Sequence, residues 1–340
     1  MVKPIINVVR MALILFSGLM LCIPAPGVAA GKELKLAHFM PPVHILHQKV
    51  FSPLSDDLAK ATGGDLTIKI YPSEALGKGP VQQYKRAVEG VADITFCILS
   101  YTASLFPRTL LLAQPGVSGS AEESTRKLWD VYDAHLKNEF REIKVLGIWV
   151  MSPTALITRT RAVQTVADLK GMKVRISSPD ESQFMQACGA VPVAMPVTEA
   201  YNALNTGIVD AVLIQPSALY KPWNLVEAAK YVTDKLPSPT SIVFLAMNKK
   251  SWSELPAKDQ AVLDKLTGRD FSIKTSVIWS ALDVEGLEKA KTDSKIGYIS
   301  PSAAQRTGFE AAAREVIEKE LIRLEKEGIA AREIYKAISK

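Results

Sequence analysis

Arg175 is the residue whose type and setting most clearly imply chemistry. It lies in DLKGMKVRISSP, Asp168 to Pro179. An arginine keeps its charge at any biological pH, so in a strand of Met, Val and Ile it needs an anionic partner. One source is a carboxylate of the chain, Asp180 or Glu181 for example. The other is a carboxylate carried in by a ligand. The strand runs straight into Ser177-Ser178-Pro179, a turn at its carboxyl end. In open α/β sheets, ligands sit just outside such ends. A guanidinium there grips a carboxylate through two parallel hydrogen bonds, which favours the ligand.

Other reactive side chains form no catalytic device. There is no nucleophile elbow, paired-His zinc motif or dinucleotide fingerprint. Gly77-Lys78-Gly79 lacks the spacing and the following Ser/Thr of a phosphate loop. His38, His44 and His47 are close in sequence, but no Cys or acidic ligand is interleaved, and His38 belongs to the preceding strand. They read as histidines of a loop and a helix start, near a pocket, with no metal. Cys97 and Cys188 sit in the apolar contexts ITFCIL and MQACGAV and read as buried free thiols in different lobes. No cofactor is expected.

The elements that must position Arg175 follow from periodicity. Strands are expected at Glu33–Phe39, Leu66–Tyr71 and Asp93–Leu99. Helices fall between them, from about His44 to Thr62 and around Val81, Tyr84 and Val88, which share one face at helical spacing. The same alternation recurs: strand Met172–Ile176, helix Glu181–Cys188, extended Pro192–Ala194, helix Glu199–Thr206, strand Asp210–Ile214. EGVADITF (Glu89 to Phe96) and TGIVDAVL (Thr206 to Leu213) each stop a helix at Gly and place Asp three residues on. Two similar α/β lobes with largely parallel sheets are therefore expected. Ser241–Asn248 reads as a strand returning to the first lobe. Pro256 to about Lys291 reads as a long helix able to cross between lobes, and a last helix starts at Ser302 and stops at Gly328.

The ends and the charge place the chain. Lys3 and Arg10, the apolar run Met11–Ile23 and the small residues Val28-Ala29-Ala30 make a secretory signal with cleavage after Ala30. Leu21 before Cys22 argues against a lipid anchor. Losing Lys3 and Arg10 lowers the net charge from +6 to +4, without a basic cluster for nucleic acid. A soluble, periplasmic, monomeric protein is expected. Its first lobe would be residues 31–154 plus 241–270. The second would be 155–240 plus 281–340, with 256–291 as the spanning helix.

Five stretches carry a resemblance across the mature chain: IYPSEALG (Ile70 to Gly77), EGVADITF, DLKGMKVR, GAVPVAMPVTEAYNALNTGIVDA (Gly189 to Ala211) and NKKSWSELP (Asn248 to Pro256). The chain resembles the solute-binding proteins of the tripartite ATP-independent periplasmic (TRAP) transporters, the DctP-type family. The resemblance implies a two-lobed, Venus-flytrap-like fold with a long helix bracing both lobes. It implies delivery of an organic anion to a permease of small and large membrane subunits, driven by an ion gradient. The ligand carboxylate would pair with Arg175.

Two departures bear on the ligand. Sialic-acid-binding members carry a second arginine where this chain has Ala155, and the Asn of a Gln-Glu-Asn-Pro segment is replaced by Ile214 or Gln215 in VLIQP. Phe39, Phe96, Tyr101, Trp149 and Tyr220 fall near the expected cleft, with Trp149 and Tyr101 just past expected strand ends. These features point to a less polar monocarboxylate: an aromatic, hydroxy- or keto-acid. The expected binding residues are Arg175, Gln215, Trp149, Tyr101, Phe39, His44, Phe96, Ser177 and Tyr220. A ligand-presenting sensor subunit would use the same fold, and an exported enzyme would need a nucleophile or acid–base pair that the sequence does not offer.

Overall fold

The computed structural model describes residues 31–117 and 119–339. The signal-sequence expectation for residues 1–30 lies outside them. Strands β1 (Lys32–Ala37), β2 (Leu66–Tyr71), β3 (Ile94–Ile98) and β4 (Ile143–Val150) precede a second group. That group is β5 (Ala155–Thr158), β6 (Lys173–Ile176), β7 (Val191–Ala194), β8 (Ala211–Ile214) and β9 (Tyr231–Thr233). Strands β10 (Ile242–Asn248) and β11 (Gly297–Ile299) follow. The first sheet has the order β2-β1-β3-β10-β4 and the second β11-β9-β5-β8-β6-β7. Each is mixed: β10 runs antiparallel to β3 and β4, and β5 antiparallel to β8 and β9.

The eight-residue repeat has a physical basis. Gly90 and Gly207 both adopt left-handed backbone, at φ of 72° and 77°, where a side chain would be strained. Three residues later each aspartate reaches the neighbouring parallel strand. Asp93 Oδ2 accepts from Lys35 N, and Asp210 Oδ2 accepts from Lys173 N, both at 2.8 Å. The carboxylate thus extends the ladder past the strand end and fixes the register of β1 on β3 and of β6 on β8. Both thiols are free and buried, Cys97 in the first-lobe core and Cys188 in the second.

Helices α1 (Ser52–Ala61), α2 (Gln83–Val88) and α3 (Ala121–Val131) flank the first sheet, and α4 (Pro179–Ala187) and α5 (Val197–Thr206) belong to the second lobe. In α2 only Tyr84 of the expected apolar face is buried; Val81 and Val88 are exposed. The chain enters α2 through a 3-10 turn at Pro80–Gln82, and three residues per turn instead of 3.6 shifts the phase of that face. After the short α6 (Lys249–Ser253), the long helix comes in two pieces, α7 (Ala257–Leu266) and α8 (Arg269–Thr292). They are broken by extended backbone at Thr267 and by Gly268, whose N–H turns to Leu146 O.

Helix α8 is the element that braces both lobes. Ser272 Oγ accepts from Ile148 N of the first sheet, and Asp283 Oδ1 accepts from Ser217 N of the second lobe. The capping box of Ser302 and Gln305 starts α9 (Ala303–Lys326). Phe309, Ala312 and Ala313 of α9 enter the second-lobe core, while Leu321 and Leu324 enter the first-lobe core with Ala331, Ile334 and Ile338 of α10 (Ala331–Ile338). The chain end therefore returns to the first lobe. That corrects the assignment of 281–340 to the second lobe: a 24-residue helix is long enough to leave one core and enter another.

Candidate functional site

Two chain crossings, Met151–Thr154 and the residues before Ile242, run side by side between the sheets. Met151 N donates to Ser241 O at 2.9 Å, and Thr240 Oγ1 to Met151 O at 2.7 Å. Thr154 Oγ1 donates to Pro239 O at 2.9 Å. Beside this tied hinge lies a cavity of about 250 Å³ whose walls come from both lobes and from α8.

Arg175 projects from β6 into this cavity and is 2% exposed. Its Nε donates to Met195 O at 3.0 Å and its Nη1 to Leu213 O at 3.4 Å. Among the described residues no carboxylate lies within ion-pair distance of it. Asp180 accepts from Gln114 at 2.7 Å. Glu181 accepts from Ser177 N and Oγ at 2.5 and 3.0 Å, so both nearby acids are occupied elsewhere. Burial raises the Glu181 pKa, and the Arg175 charge is the largest opposing influence. The Ser178 N-cap starts α4 and holds Glu181 N, fixing the turn that follows the arginine.

Tyr101 stands next to Arg175. It follows β3 in the first lobe, and its hydroxyl oxygen accepts from Val197 N, the first residue of α5 in the second lobe, at 3.1 Å. Burial raises its pKa, with Arg175 pulling the other way, so the phenol keeps its proton. Its oxygen already accepts a bond, which leaves that proton available for donation. The guanidinium and the phenol come from different lobes and both line the cavity.

Phe39, His44, Ser177 and Gln215 also line the cavity. Gln215 Nε2 reaches Ser241 Oγ at 3.3 Å, so this side chain ties the pocket to the hinge. His44 packs edge-on to Trp279, with ring centroids 5.3 Å apart. Three expected residues lie elsewhere. Trp149 and Phe96 are fully buried and stack on each other at 5.9 Å as a layer behind the wall. Strand β4 continues through Val150, so Trp149 is inside the strand and faces the core. Tyr220 points to α8 on another face, its hydroxyl on Asp293 at 3.1 Å and its ring 3.8 Å from Lys289 Nζ.

Sequence reasoning missed Trp279, Trp223 and Met151, which complete the apolar wall. Trp279 had one usable signal: it lies mid-way along the helix expected to cross the cleft. Among the described residues there is no cluster of His, Cys, Asp or Glu poised to hold a metal, and no helix long and apolar enough to cross a membrane.

Two α/β lobes joined by a tied hinge, with a buried cation at the cavity between them, define a cleft-type binding protein. Residues 36–323 match the model of bacterial extracellular solute-binding protein family 7, DctP, and the chain belongs to that family, whose members bind small organic acids and are not catalysts. It is similar to a TRAP solute-binding protein from Rhodoferax ferrireducens whose crystal structure is a complex with copurified benzoate. The identity is 27%, the TM-score 0.86, and the match covers 91% of this chain and 96% of that one. It is 26% identical over 259 residues to the outer membrane transporter protein TsaT of Comamonas testosteroni, covering 75% of this chain and 76% of that protein. It is 28% identical over 217 residues to the 2,3-diketo-L-gulonate-binding periplasmic protein YiaO of Escherichia coli, covering 62% and 64%.

Proposed function

We propose that this chain captures an organic acid by its single carboxylate, closes on it, and delivers it in the periplasm to the small and large membrane subunits of a TRAP permease. The observation that carries this reading is Arg175: a buried guanidinium without a carboxylate partner among the described residues, beside a phenol donor, on a cavity walled largely by apolar and aromatic side chains. The ligand body is aromatic or similarly apolar, because Phe39, Trp279, Trp223 and Met151 offer mainly apolar area. The copurified benzoate of the 27% identical relative supports that class. The protein acts as a monomer, without cofactor or turnover, after removal of residues 1–30.

The test is a thermal-shift screen of organic acids against the protein, followed by calorimetry on the hits. A ligand that binds only the folded state raises the melting temperature, by more the higher its concentration relative to its dissociation constant. Aromatic monocarboxylates should give the largest shifts, and dicarboxylates and sialic acid small ones. Recovery of a chemically altered acid, or a panel in which only neutral sugars bind, would overturn the reading.

A further inference from the structure

His44 is 4% exposed, lines the cavity, and belongs to the first lobe, whereas Arg175 belongs to the second. Its Nδ1 accepts from Leu46 N at 3.2 Å. An imidazole nitrogen that accepts carries no proton, so the neutral ring bears its proton on Nε2. Burial lowers its pKa to about 4, so the ring is neutral near pH 7. Among the described residues no acceptor meets Nε2, yet it is not among the sealed, unpartnered buried atoms; it is left to the cavity. A donor at this place gives up water when a ligand enters and costs free energy if the ligand offers no acceptor.

We propose that His44 selects the ligand's polar substituent, its Nε2–H donating to a hydroxyl or keto oxygen on the acid whose carboxylate Arg175 holds. This rests on the carboxylate-capture reading above. A neutral donor suits a neutral oxygen. A second carboxylate would need a cation at the same depth, and the cavity's other cations, Lys49 and Lys221, are exposed side chains. Since His44 and Arg175 come from different lobes, a ligand bearing both groups is held from both sides of the cleft. One with a carboxylate alone lacks this His44 bond.

The test is calorimetry with three matched pairs: 3-hydroxybenzoate and benzoate, mandelate and phenylacetate, phenylpyruvate and 3-phenylpropionate. In the wild-type protein the oxygenated member of at least one pair should bind about tenfold tighter, the effect of one well-made hydrogen bond. His44→Phe keeps the ring packing on Trp279 and should bring that ratio to within about threefold. His44→Gln restores a donor and should recover part of the preference, which also guards against a misfolded Phe variant. A wild-type protein without preference in any pair, or a preference unchanged in His44→Phe, overturns the proposal while leaving carboxylate capture intact. Failure of all six acids to bind overturns both.

Discussion

Gln114 Nε2 donates to Asp180 Oδ1 at 2.7 Å, and this buried bond ties the two lobes together. Gln114 ends the turn Thr109–Ala113 in the first-lobe core, and Asp180 lies in the first turn of α4, five residues after Arg175. Asp180 Oδ2 and Gln114 Oε1 are both buried without a partner among the described residues. A proton on Asp180 gives this pair a donor where its two remaining oxygens otherwise lack one. Burial pushes the Asp180 pKa up to about 7; Glu320 and Glu181 add to the rise, while the Gln114 bond and Arg323 oppose it.

The sign of the pH dependence follows. An unfolded aspartate releases its proton near pH 4, whereas folded Asp180 holds it to about 7. Its stabilising contribution is full below about pH 4 and is lost as pH rises through 7, a swing on the order of a few kcal/mol. Asp180→Asn supplies an acceptor and a donor without a titrating group. Denaturant unfolding from pH 5 to 8 should show wild-type stability falling with pH and a distinctly flatter slope in the variant. Equal slopes would mean that Asp180 is charged in the fold.

Close approach between α8 and the second lobe gives another prediction. A Cβ on Gly286 would stand 2.9 Å from Pro216 O, a backbone atom that cannot swing aside. Gly286→Ala should therefore push α8 from the Pro216–Leu219 turn and destabilise the protein by roughly 1–3 kcal/mol, the range for overpacking. A melting curve measures this directly. An unchanged or raised melting temperature would show that the helix shifts freely there.

The start of α9 is a smaller, local case. Ser302 Oγ accepts from Gln305 N, and Gln305 Oε1 accepts from Ser302 N. Ser302→Ala removes one half of this box and should cost about 1 kcal/mol in chemical denaturation. Because α9 enters both cores, the loss should appear in a single transition; two separated transitions would show that the lobes unfold independently.

What the sequence made legible was whatever depends on local pattern. Gly90/Asp93 and Gly207/Asp210 were visible as a repeat because one backbone turn and one carboxylate–amide bond recur at both places. Arg175 was visible because a fixed charge among β-branched residues demands an explanation. The aromatic wall was half legible. Tyr101 and Trp149 both stood near expected strand ends, but a strand boundary misplaced by two residues turns a cavity residue into a core residue, and only Tyr101 reaches the cavity. Trp279 and Trp223 come to the cavity through the path of α8 and a loop, which long-range packing decides. The lobe to which α10 returns is likewise set by tertiary contact of Ile334 and Ile338 rather than by any signal within Ala331–Ile338.

Arg175 offers the most direct test of the site. In the folded protein its guanidinium is bonded to two carbonyl oxygens, and a ligand carboxylate would find its free edge beside the Tyr101 hydroxyl. Closure removes water, which strengthens the charge pairing and makes an unpaired carboxylate costly there. Arg175→Ala should lose roughly 3–5 kcal/mol of binding, the range for breaking a buried pair. At about 1.4 kcal/mol per decade, that is two to four orders of magnitude in affinity. Arg175→Lys keeps the charge but loses the planar fork, so it should bind weakly rather than normally. The ligand-free melting temperature should fall, since Met195 O and Leu213 O lose their donor and buried Glu181 loses the nearby positive charge, while the protein still folds. Calorimetry and melting curves on both variants decide the matter. Near-normal affinity in Arg175→Ala, or a variant that fails to fold, would make Arg175 a structural residue held by Met195 and Leu213 alone.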